Sequence, residues 1–92
     1  MLELLACLKN YLEIIGILAG LCTIISFLPQ IIKIYRLRSA EAISLPMYII
    51  FSIGEVFWVC YGILLEAPAV IGTNLIILIL GLVILIMKIL WN

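Results

Sequence analysis

Glu55 is a carboxyl set in the middle of an apolar run, residues 45–65, with no basic residue at similar depth. Ionisable groups at membrane depth are expensive and face a bundle interior or a wet cavity. Two roles fit it: a proton-coupling site, or a buried, protonated and hydrogen-bonded structural carboxyl. Trp58 and Gly62 follow at helical spacing on the face of Glu55. Trp58 lies well inside the run, away from the span ends where tryptophan is usual. Its flat apolar face and single N–H donor suit stacking against a sugar ring; the alternative is a large core side chain.

A second group is Thr23, Ser26, Pro29 and Gln30. Pro29 removes one backbone hydrogen bond and frees the carbonyl one turn earlier, near Ile25 and Ser26. The Ser26 hydroxyl is placed to compensate locally. The proline is either a hinge or a packing kink whose backbone groups neighbouring helices satisfy. A third group is Thr73 and Asn74. The asparagine amide carries two donors and two acceptors, a complement to vicinal hydroxyls. The competing role is an interhelical hydrogen bond of about 0.6 kcal/mol.

The elements that hold these groups follow from composition. The chain has 92 residues, 68% of them apolar, with five acidic and five basic side chains and a net charge of zero. A soluble globule of that size leaves much of its surface in water and has no room to bury so much apolar area. A water-soluble enzyme, a disordered tail and a disulfide scaffold are excluded, and nucleic acid lacks the clustered cationic charge it requires. There is no histidine, so a histidine-based triad or a zinc site has no basis. Cys7, Cys22 and Cys60 are far apart and read as small apolar packing residues. The medium is a bilayer, whose hydrocarbon core of about 30 Å needs about 20 apolar residues of helix.

Three such spans account for most of the chain: 11–35, 45–65 and 68–91. Pro68 suits the first turn of the third. The connections are short, as for antiparallel neighbours. The N-terminal segment lacks the cationic start and cleavage site of a signal peptide. It reads as an extension of helix one or a short interfacial helix, with Leu2, Leu5, Leu8 and Leu12 at helical spacing. Tyr11, Tyr35, Tyr48 and Trp91 lie near span ends and read as interface anchors. Lys33, Arg36 and Arg38 at the first loop, with Lys88 near the end of helix three, put that loop and the C-terminus in the cytoplasm. The N-terminus and the second loop, with Glu66, then face outward.

The order of these residues is informative as a series. Ser26-Phe27-Leu28-Pro29-Gln30 is followed by Lys33, Arg36 and Arg38, then Ile43-Ser44, Met47-Tyr48-Ile49, Trp58, Tyr61-Gly62 and Asn74. The series resembles the SemiSWEET family of bacterial sugar transporters, within the PQ-loop superfamily, over nearly the whole chain. The resemblance implies an all-α, three-helix membrane bundle that works as a parallel homodimer of six helices in the inner membrane, free of cofactors and metal. It implies one central sugar site shared by the protomers, with access alternating between the two sides. Three helices alone cannot enclose a solute path, and a two-fold axis brings two copies of each site residue to one cavity.

By the same resemblance, Trp58 is the sugar-stacking tryptophan and Asn74 the hydroxyl-binding asparagine; Thr23, Ser26 and Glu55 are further candidate substrate contacts on their own chemistry, as polar groups at membrane depth. Pro29 and Gln30 form the hinge, Tyr61 an outer gate, and Met47 and Phe51 an inner gate. The chain departs from the family in two places. Leu64 and Leu65 precede a lone Glu66 where relatives often carry a charge pair, and Glu55 stands where an apolar residue is usual. Other functions are a proton-coupled small-solute exchanger using Glu55, or a non-transporting pore or accessory membrane protein. A simple pore needs neither Trp58 nor Asn74.

Overall fold

The computed structural model describes residues 1–92. The chain forms three helices, α1 (Leu2–Leu37), α2 (Leu45–Leu64) and α3 (Pro68–Leu90), and each is long and apolar enough to cross a membrane. The fold is an all-α bundle of three membrane spans. Its extents of 54 × 21 × 14 Å are those of a slender rod. At 1.5 Å per residue α1 is about 54 Å long, well beyond a hydrocarbon core of about 30 Å. The N-terminal segment is therefore an extension of α1. Lys9, Leu12 and Glu13 stand level with Leu65 and Ala67 of the second loop, so the helix before Lys9 projects past that loop.

Local chemistry sets the helix ends. Ser44 caps α2, its hydroxyl oxygen accepting from Met47 N at 3.3 Å. At the other end Ala67 N donates to Gly62 O at 2.9 Å and Glu66 N to Ile63 O at 3.1 Å, with Glu66 at φ 53°. This pair of bonds closes the helix through a left-handed residue, a place where glycine is usual. Pro68 then opens α3.

The spatial order is α1–α3–α2. The third helix packs on both others, and the α1 and α2 backbones do not approach each other closely. The short first connection had suggested that α1 and α2 are neighbours. They are not, because the loop between them crosses the end of α3: Ala40 N donates to Trp91 O at 3.0 Å and Lys88 Nζ to Ala40 O at 3.1 Å. Buried glycines mark the close approaches along α3. Gly20 of α1 lies against Thr73, and Gly62 of α2 lies against Val70 and Ile71.

Only 12 of 92 residues are buried, and most large apolar side chains lie on the outside, as befits a chain whose solvent is lipid or another copy of itself. Cys7, Cys22 and Cys60 are free and exposed, so they are not the interior packing residues their type suggested. Lipid exposure satisfies a thiol as readily as a core does. Tyr48 is likewise not an interface anchor. It is only 4% exposed and belongs to the core with Phe27, Ile34, Ile43, Ile77 and Ile84.

Candidate functional site

The gap left between α1 and α2 by the interposed α3 is closed at one end and open along the rest. At the first-loop end Phe27 of α1 meets Tyr48 and Phe51 of α2, with ring centroids 6.4 and 5.5 Å apart. Tyr48 and Phe51 are 5.9 Å from each other. Beside this cluster Tyr48 Oη donates to Gln30 Oε1 at 2.7 Å. Long side chains thus span a seam that the backbones leave wide.

Toward the second loop the same gap becomes a cavity of about 310 Å³. Gly16, Ala19, Gly20 and Thr23 supply the α1 wall, Glu55 and Trp58 the α2 wall, and Val70, Thr73, Asn74 and Ile77 the floor on α3. The volume is at the small end of ligand sites, which run from about 300 to 1,000 Å³. Thr23 Oγ1 donates to Ala19 O at 3.0 Å, Thr73 Oγ1 to Ala69 O at 2.7 Å, and Asn74 Nδ2 to Val70 O at 2.8 Å. Glu55 is 8% exposed, and its Oε2 is buried with no hydrogen-bond partner. Trp58 is 53% exposed, and Tyr61 stands edge-on to it at 5.5 Å. A larger hollow of about 510 Å³ lies under the first loop, walled by that loop and one face of α1. Only the smaller cavity gathers polar side chains from all three helices.

The fold therefore brings Thr23, Glu55, Trp58 and Asn74 together, from three separate stretches of sequence. Ser26 is not among the lining residues. It is exposed, and its hydroxyl donates to Thr23 O at 2.6 Å, not to the carbonyl freed by Pro29. Pro29 lies inside an unbroken α1. Met47 is exposed and does not line the cavity, and Phe51 sits in the aromatic cluster.

A model of the PQ loop repeat matches residues 11–71, most of the chain and every element that builds the cavity's α1 and α2 walls. A protein of Bradyrhizobium diazoefficiens named sugar transporter SemiSWEET is 36% identical over 77 residues, which are 84% of this chain and 90% of the relative. The chain belongs to the SemiSWEET family. Among solved structures, a bacterial homologue of SWEET transporters is 44% identical and superposes with a TM-score of 0.82, covering 87% of this chain and 96% of that one. A SemiSWEET in the inward-open conformation is 35% identical, with a TM-score of 0.75 over 87% of this chain and 86% of that one. The three-span bundle is thus the SemiSWEET fold.

Gly16, Gly20 and Thr73 line this SemiSWEET cavity without having been assigned to it from the sequence, and the Tyr48–Gln30 bond beside it was likewise not foreseen. Gly16 and Gly20 are a Gly-x-x-x-Gly pair, a pattern that lets membrane helices approach, and the signal was present in the sequence. Thr73 was noted beside Asn74, but nothing in its spacing separated a wall residue from a packing residue. Tyr48 had no sequence signal as a partner for Gln30, because its position near a span end matches an interface anchor equally well.

Proposed function

We propose that the chain is a facilitative transporter of mono- or disaccharides, working as a parallel homodimer with one central sugar site and alternating access. The observation that carries this reading is the convergence of Thr23, Glu55, Trp58 and Asn74 on one cavity, in a chain whose relatives are named sugar transporters. The process is binding and release, with no bond made or broken and no cofactor. Trp58 offers its ring face to the sugar and Asn74 its amide to vicinal hydroxyls. A single protomer leaves Trp58 half-exposed beside an open cavity, and a second protomer across a two-fold axis completes the enclosure.

In this mechanism Pro29 and Gln30 concentrate the bending of α1. Tyr61 occludes the site on the second-loop side, while Met47 and Phe51 occlude it on the first-loop side. Outward and inward forms must lie within a few kcal/mol of each other for the cycle to turn over. Lys33, Arg36, Arg38 and Lys88 hold the first loop and the C-terminus on the cytoplasmic side of the inner membrane.

The test is counterflow of labelled glucose and sucrose in proteoliposomes, with wild type set beside Trp58→Ala. Saturable counterflow that the substitution abolishes, while the purified dimer stays intact, supports the reading. A dimer lost in the variant makes Trp58 structural, and a wild type that moves neither sugar removes the reading itself.

A further inference from the structure

The hydrogen-bonding groups of the cavity are unbalanced. A hydroxyl has one proton to give. Thr23 and Thr73 give theirs to carbonyls of their own helices, and Asn74 commits one of its two amide protons in the same way. What remains for a solute is chiefly acceptor capacity: the two hydroxyl oxygens and Asn74 Oδ1. The free donors are Trp58 N–H and the second amide proton of Asn74. To this acceptor-rich wall Glu55 adds a buried carboxyl whose Oε2 has no partner. No lysine or arginine lines the cavity from any of the three helices. A buried carboxylate needs a counter-charge or a bound proton, and the cavity wall offers no cation. The adjoining wall is the Trp58 ring, a surface that attracts cations.

We infer that the cavity takes a sugar bearing a protonated amine, an amino sugar, with Glu55 as the counter-charge of its ammonium group. The inference rests on the sugar-transport reading and specifies its substrate class. An ammonium has three donors and no acceptor, the complement of what Glu55, Thr23, Thr73 and Asn74 present. Its charge supplies the partner that the carboxyl lacks among the protein's own groups. A sugar phosphate or sugar acid brings a like charge to Glu55 and is rejected.

The experiment is competition against labelled glucosamine and labelled glucose counterflow in proteoliposomes at neutral pH, with unlabelled glucosamine, glucose and glucose 6-phosphate as competitors. For wild type, glucosamine half-inhibits at a concentration at least about tenfold below glucose, the range of a hydrogen bond to a charged group. Glucose 6-phosphate does not compete. In Glu55→Gln the ratio of the glucosamine and glucose values falls to about one. Glucose competing as well as glucosamine in wild type overturns the inference, whether or not the variant folds, and leaves sugar transport standing. A preference that survives in Glu55→Gln also overturns it. If wild type moves no sugar, the transport reading falls and the inference with it.

Discussion

Tyr48 donates its phenolic proton to Gln30 Oε1 at 2.7 Å, and this bond joins α1 to α2 across a seam their backbones leave open. It falls on the residue after Pro29, where α1 already lacks one backbone hydrogen bond. Tyr48→Phe leaves a partly buried acceptor unmade, at a cost of about 1–3 kcal/mol. The expected result is a lower thermal unfolding midpoint of the purified protein in detergent. Adding Gln30→Leu should recover part of the loss, since replacing both partners by apolar groups removes the orphaned acceptor. A double variant less stable than the sum of its parts would refute the pairing.

The contact between α1 and α3 gives a second prediction with an internal control. A methyl group built on Gly20 would lie 2.5 Å from both Thr73 Cβ and Thr73 Cγ2, whereas one on Gly16 meets nothing within 4 Å. Gly20→Ala must therefore push α1 off α3, and overpacking of this kind costs about 1–3 kcal/mol. Gly16→Ala adds helix propensity at no steric expense and should be neutral or stabilising by up to about 1 kcal/mol. Thermal unfolding of the two variants side by side tests this. Equal midpoints would mean that Gly20 is not the point of closest approach.

The legibility of the fold divides along physical lines. Span number and position follow from runs of apolar residues, because in hydrocarbon each helix must satisfy its own backbone. That constraint is local, so the ends of α2 and α3 fell within a residue of expectation. The order α1–α3–α2 is not local. It depends on Gly20 admitting Thr73 and on Ala40 being pinned to the end of α3. The candidate site shows the same split. Glu55, Trp58 and Asn74 announce themselves as polar or misplaced groups inside apolar runs. Tyr48 does not, because a tyrosine near a span end is equally at home in the interface and in the core. Ser26 was drawn toward the site by its chemistry, and one hydrogen bond to Thr23 O is all its position yields.

Glu66 offers a prediction that does not depend on function. It ends α2 at φ 53°, a left-handed conformation that costs a side chain about 1–2 kcal/mol and glycine almost nothing. It makes no ion pair that would offset the strain. Glu66→Gly should stabilise the protein by up to about 1 kcal/mol, with part of the relief cancelled by the greater freedom of glycine in the unfolded chain. Thermal unfolding reads it. A destabilised variant would show that the Glu66 side chain holds a contact that matters, for example across the proposed dimer.

The first loop is latched to the end of α3, and in the proposed cycle the latch decides which half of α1 is free to move. Lys88 Nζ donates to Ala40 O at 3.1 Å and also to Asn92 Oδ1, while Ala40 N donates to Trp91 O at 3.0 Å. The Arg38 guanidinium lies 4.3 Å from the Tyr35 ring centroid and 4.7 Å from that of Trp91. These contacts tie the segment of α1 after Pro29 to α3. In the proposed cycle, bending at Pro29 then swings the segment before it, which carries Gly16, Gly20 and Thr23 in the cavity wall. Lys88→Met removes the charged donor to the Ala40 carbonyl, which keeps its bond from Ile43 N at 3.0 Å, and a hydrogen bond to a charged group is worth about 1.5–3 kcal/mol to the latch. Loop opening should rise by about tenfold or more, because each 1.4 kcal/mol is a factor of ten. Trypsin cleavage after Arg36 and Arg38 reports that opening when reclosing is fast relative to cutting. The same digestion in sealed vesicles of known orientation locates the loop: cleavage confined to the cytoplasmic face supports the proposed topology. An unchanged cleavage rate in Lys88→Met would mean the latch does not hold the loop, and the fixed half of α1 would have to be sought elsewhere.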